Sequence, residues 1–138
     1  MDRIREIETD ASSENLDTVM DLVREQLESV DCPMKAQMQT ELAVEEVFVN
    51  IANYAYQSGT GKVVVTTGFQ SDPLTFVIVF ADNGTPYDPL KNDDPDITLS
   101  AEDRPIGGLG IFLVKKNMDD VFYEYRDGKN ILTLKKSL

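Results

Sequence analysis

The chain has 138 residues, 41% hydrophobic and 28% charged, with 13 basic against 25 acidic side chains and a net charge of −12. This predicts one globular domain over residues 1–138, without the basic footprint that DNA, RNA or anionic lipid would require. Histidine is absent and Cys32 is the only cysteine, which removes Ser-His-Asp and Cys-His catalysis, histidine-ligated zinc, a phosphohistidine on this chain and an internal disulfide.

In chain order, Ile4 to Ile7 predicts a short opening strand, and the polar stretch from Asp10 to Asn15 offers helix caps. Leu16, Val19, Met20, Val23, Leu27 and Val30 recur at helical spacing and predict an amphipathic helix of about four turns. Asp31-Cys32-Pro33 ends it, with Pro33 suited to the first turn of a second helix over about Met34 to Ala55. Apolar residues surround the later turns of that helix, so its second half is expected to be buried. Glu45, Glu46, Asn50 and Asn53 lie in the same stretch and need partners there.

Lys62 to Phe69 and Leu74 to Ala81 read as a hairpin turning at Ser71-Asp72-Pro73, and Asp82-Asn83-Gly84-Thr85-Pro86 breaks the pattern. Pro89 to Pro105 is acidic and irregular, long enough for a lid. Gly107-Gly108-Leu109-Gly110 opens a third helix, and Val121 to Arg126 with Asn130 to Lys136 forms a last hairpin around Asp127-Gly128. The expected fold class is α+β, a two-layer sandwich with helices on one face of a mixed, mostly antiparallel sheet. No apolar run is long enough to cross a bilayer. The opening MDRIREIETD lacks the apolar core of a signal peptide, so the expected location is cytoplasmic.

Charge is unevenly distributed. Residues 1–103 carry 6 basic and 21 acidic side chains, a balance of −15, whereas residues 104–138 carry 7 and 4, a balance of +3. A polyphosphate bound by such a chain would need local donors and a cation.

Three clusters can carry that chemistry. Glu46 and Asn50, four apart, project from one helix face, where a carboxylate accepts protons and an amide oxygen ligates a hard cation such as magnesium. Asp82, at a strand end, can accept from an exocyclic amine, and Gly84 would let a flat ring approach the backbone. Gly107, Gly108 and Gly110 would turn backbone N–H groups and a helix N-terminus toward an anion. Each alone is also a common structural device: a solvated helix face, an Asx turn or a glycine turn.

Together and in this order they resemble the GHKL ATPase superfamily with its Bergerat fold. An N-box appears as Glu45 to Tyr56, a G1 box as Asp82-Asn83-Gly84-Thr85-Pro86-Tyr87-Asp88-Pro89, and a G2 box as Gly107 to Val114. The match covers nearly the whole chain and is most similar to the RsbW-type anti-sigma-factor serine kinases. The resemblance implies ATP and Mg2+ as cofactors, Glu46 as general base, Asn50 on magnesium, Asp82 on the adenine amine and Gly84 in the ring pocket. It further implies Gly108 and Gly110 on the phosphates, an ATP lid from Pro89 to Arg104, and Asn53, Tyr87, Arg104, Leu109 and Ile111 around the nucleotide. Thr133 would support the adenine pocket or serve only as a strand residue. Tyr54 stands where many relatives have histidine. Five acids between Lys91 and Arg104 (Asp93, Asp94, Asp96, Glu102 and Asp103) are expected to face solvent or a partner.

The implied activity is that of a serine-protein kinase, which holds a sigma factor inactive and phosphorylates a small anti-sigma-factor antagonist, acting as a homodimer. The alternatives are a catalytically silent ATP-gated binding module and a detached histidine-kinase catalytic domain.

Overall fold

Alternation along the two hairpins decides which face of the sheet carries the helices. The computed structural model describes residues 1–56, 61–91 and 108–138. Its elements run β1 (Asp2–Asp10), α1 (Leu16–Glu28), α2 (Met34–Tyr54), β2 (Lys62–Gln70), β3 (Thr75–Asp82), α3 (Gly108–Asn117), β4 (Asp120–Arg126) and β5 (Lys129–Ser137). The strands form one five-stranded sheet in the order β1-β2-β3-β5-β4. All four pairings among the described residues are antiparallel, so the sheet is not mixed. Val63, Val65, Thr67 and Phe69 of β2 lie in register with Asp82, Phe80, Ile78 and Phe76 of β3. Asn130, Leu132 and Leu134 of β5 continue the row.

This row faces the helices. Phe48 of α2, Val23 and Leu27 of α1 and Val114 of α3 join Phe76, Ile78, Phe80 and Leu134 in a single buried cluster. Burying a side chain of this size contributes about 1.5–3 kcal/mol, so the two-layer α+β sandwich is held chiefly by this one interface.

The helices end where the sequence predicts, for identifiable reasons. After α1, Asp31 takes a left-handed φ of 53° and the Cys32 N–H donates to the Leu27 carbonyl at 3.2 Å, closing a Schellman-type cap. Pro33 is the cap of α2 rather than its first helical residue, its carbonyl accepting from the Gln37 N–H at 3.0 Å. The later half of α2 is buried through Ala43, Val44, Val47 and Phe48, as expected, whereas Met34, Met38 and Leu42 of its first half are exposed.

β1 is longer than the four residues its sequence suggests. It is an edge strand with mostly exposed side chains, held by its ladder to β2 rather than by apolar alternation. Gln26 of α1 secures it from below, its Nε2 donating to the Arg3 carbonyl at 2.8 Å and to Thr67 Oγ1 at 2.9 Å. Among the described residues, no helix is long and apolar enough to cross a membrane.

Candidate functional site

The second half of α2, the end of β3 with its following loop, the start of α3 and the inward row of β5 enclose a cavity of about 580 Å³. That volume suits a ligand of nucleotide size. Glu46, Asn50 and Asn53 enter it from α2, where their spacing of four and then three residues keeps them on one side of the helix. Asp82 and Tyr87 line it from β3 and the loop, and Gly110 and Ile111 from α3. Val47, Ile51, Val114 and Leu132 give the walls an apolar surface. The sequence clusters at 46–50, 82–87 and 110–111 therefore meet in one place.

Asp82 is only 6% exposed. Its Oδ1 accepts from the Gly84 N–H at 2.9 Å and from Asn130 Nδ2 at 3.0 Å. Asn130, which sequence reasoning missed, also lines the cavity. Its Nδ2 approaches the carbonyls of Thr85 at 3.1 Å and Gly84 at 3.3 Å. Its Oδ1 accepts from the Tyr87 N–H at 3.1 Å and from the Tyr123 hydroxyl. The available signal was a polar residue heading an otherwise apolar inward row, Asn130-x-Leu132-x-Leu134.

Two expected residues stand elsewhere. Gly84 is not in the cavity wall. A Cβ built on it would lie 2.1 Å from the Ala55 carbonyl oxygen, so its bareness admits the end of α2 rather than a ring. Thr85 N–H donates to that same carbonyl at 3.0 Å, and Tyr56 adds a second clasp, its hydroxyl donating to the Lys62 carbonyl at 2.6 Å and accepting from Asn83 N–H at 2.9 Å. Burial raises the Tyr56 hydroxyl above its ordinary pKa of 10.0, opposed in part by the Asn83 contact. Thr133 pairs with Val79 and sits out of phase with Asn130 and Leu132, so it belongs to the sheet face away from the helices.

Gly108 opens α3 and Leu109 follows in its first turn. Gly110 meets the tip of Glu46, whose Oε2 lies 2.9 Å from where a Cβ would stand. Of the lid expected over Pro89 to Arg104, Pro89–Lys91 form a short 3₁₀ turn. Arg104, Gly107 and the acids from Asp93 to Asp103 lie outside the described residues, as does the Tyr54 side chain.

The cavity lining carries two carboxylates, Glu46 and Asp82, and among the described residues no lysine or arginine. Glu46 and Asn50 offer only oxygen donors, and the described residues contain no cluster of three metal-ligating His, Cys, Asp or Glu side chains. This donor set fits magnesium, which takes few protein ligands and shares its coordination with phosphates; it is too sparse to hold a metal by itself.

The chain belongs to the histidine kinase-like ATPase domain family, whose model matches residues 9–136. It is similar to the serine-protein kinase RsbW of Bacillus cereus (strain AH187) and of Bacillus thuringiensis subsp. konkukian (strain 97-27). Each is 30% identical over 99 residues, covering 69% of this chain and 61% of the relative. The RsbW of Bacillus cereus (strain B4264) is 31% identical over the same shares. The chain thus spans about 61% of the length of the curated relatives it matches.

Proposed function

We propose that this chain, acting as a single domain, binds ATP with magnesium and transfers the γ-phosphoryl group to a serine of a small antagonist protein. The observation that carries this reading is the convergence of Glu46, Asn50, Asp82 and Gly110 on one cavity. Asp82 would accept from the adenine amine, with Tyr87 and Ile111 beside the ring. Asn50 would hold magnesium through its amide oxygen, and the ion would neutralise phosphate charge that the acidic lining cannot. The start of α3, at Gly108, would offer the phosphates the positive end of a helix dipole.

Glu46 would take the proton of the serine hydroxyl as its oxygen bonds to the γ-phosphorus. The bond from that phosphorus to the bridging oxygen then breaks, and ADP leaves. Among the remaining roles inferred from the family are Asn53 and Leu109 near the nucleotide and Arg104 at the lid's end.

The biological reading follows the relatives named serine-protein kinase. The chain would belong to a cytoplasmic partner-switching module, holding a sigma factor inactive as a homodimer until the antagonist displaces it. The deciding measurement is ATP calorimetry with and without magnesium on the native protein, Asn50→Ala and Asp82→Asn. Micromolar, magnesium-dependent binding lost in Asp82→Asn supports the site. No binding by the folded native protein sinks it. A Glu46→Gln protein that binds ATP and still regulates its target would instead favour an ATP-gated module without catalysis.

A further inference from the structure

We infer that Asn130, oriented by Tyr123, is a positioning residue that limits Asp82 to one free oxygen and so selects adenine over guanine. This rests on the ATP reading above and deepens it.

The orientation of the Asn130 amide is determined by its neighbours. Three acceptors surround Nδ2: Asp82 Oδ1 and the carbonyls of Gly84 and Thr85. Two donors face Oδ1: the Tyr87 N–H and the Tyr123 hydroxyl. Turning the amide over would set its NH2 against the Tyr87 N–H and its oxygen against Asp82 Oδ1 and the two carbonyls, whereas the Tyr123 hydroxyl can serve either orientation. Asn130 is 8% exposed and links β5 to the 83–87 loop and to β4.

The consequence falls on Asp82. Its Oδ1 already receives two hydrogen bonds, from Gly84 N–H and Asn130 Nδ2. Among the described residues no donor reaches Oδ2. Among the described residues no fully buried side-chain oxygen or nitrogen lacks a partner, so Oδ2 is open to the cavity that Asp82 lines. A carboxylate with one oxygen committed offers a single acceptor atom. Adenine presents one exocyclic amine and is satisfied by it. Guanine presents N1–H and the N2 amine side by side, a pair that calls for both carboxylate oxygens. Offered one, it leaves a donor unmet in a desolvated pocket.

The test is calorimetric affinity for Mg-ATP and Mg-GTP on the full chain, comparing native protein with Asn130→Ser and Tyr123→Phe. Tyr123→Phe keeps the ring and removes only the hydroxyl. Near-ultraviolet circular dichroism checks that each variant is folded. Native protein is expected to favour ATP by about a hundredfold. Asn130→Ser should lower that ratio about tenfold, because Oδ1 keeps the Gly84 N–H but regains one acceptor site, and Tyr123→Phe by a smaller factor, because Asn130 is then less firmly held. An unchanged ratio in folded Tyr123→Phe and Asn130→Ser, with both nucleotides weakened alike, would overturn the inference and leave the ATP reading standing. Native protein that binds neither nucleotide would overturn both.

Discussion

The carboxylate of Glu46 occupies the space that a side chain on Gly110 would need, with Oε2 2.9 Å from the position of a Cβ. The bare position 110 in the first turn of α3 is therefore what lets the Glu46 carboxylate lie where it does. The atom in the way is the far end of a flexible side chain, so Gly110→Ala should push Glu46 aside rather than unfold the protein. Replacing a helical glycine by alanine adds about 0.5–1 kcal/mol of stability. Urea unfolding should show unchanged or raised stability while the proposed serine phosphorylation falls by about a hundredfold, the scale of a lost general base. A fully active Gly110→Ala protein would remove Glu46 from the proposed proton transfer.

Gly84 predicts the opposite sign. There the obstacle is the backbone carbonyl of Ala55 at 2.1 Å, and it cannot swing away. Gly84→Ala should destabilise the fold by about 1–3 kcal/mol, in the range of an overpacked site. The urea midpoint is the readout, and a shift below a few tenths of a kcal/mol would refute the close approach.

The hydroxyl of Tyr56 gives a pH dependence. Burial raises its pKa above 10.0, so the folded chain holds this proton more tightly than the unfolded chain does. The associated stability is fully present below pH 10 and is lost as the pH rises through the unfolded and then the folded value. Tyr123, also raised by burial, acts in the same direction. Stability measured in urea should decline above pH 10, and less steeply in Tyr56→Phe. At pH 7 that variant should lose about 1 kcal/mol, because Asn83 N–H and the Lys62 carbonyl lose their shared partner.

Arg24 of α1 and Glu41 of α2 form an ion pair at 2.6 Å, with 48% and 21% of their side-chain surfaces exposed. Solvent screens such a pair, and its loss in Arg24→Ala should lower stability only slightly, and less in high salt. A larger, salt-independent loss in thermal unfolding would mean that the arginine stem contributes mainly by packing.

The helices were legible because their apolar spacing and the stop at Asp31-Cys32-Pro33 are local signals. Asp82 and the glycines before Leu109 and Ile111 were legible because they couple a special residue to an element boundary, and Glu46 and Asn50 because their spacing of four shares one face of α2. β1 was under-read since an edge strand with exposed side chains has little alternation to reveal it. Asn130 was missed, with attention on Thr133: the Asn130-x-Leu132-x-Leu134 row marks its face of β5, but that it meets Asp82 follows only from the register of β5 against β3. Gly84 was assigned to a ring and instead faces Ala55, since no local pattern tells which neighbour approaches a glycine.

The hydrogen bond between Asp82 and Asn130 joins residues 48 apart in the chain. A ribosome emits the chain from its N-terminus, so β1, both long helices and the β2–β3 hairpin emerge before the residue that orients Asp82 exists. Until β5 docks, β3 has a bare edge and the cavity lacks one wall. If the site takes nucleotide as proposed, its capture is a late event in biogenesis, and a nascent chain halted before Lys129 would be a poor competitor for it, however well its helices had formed.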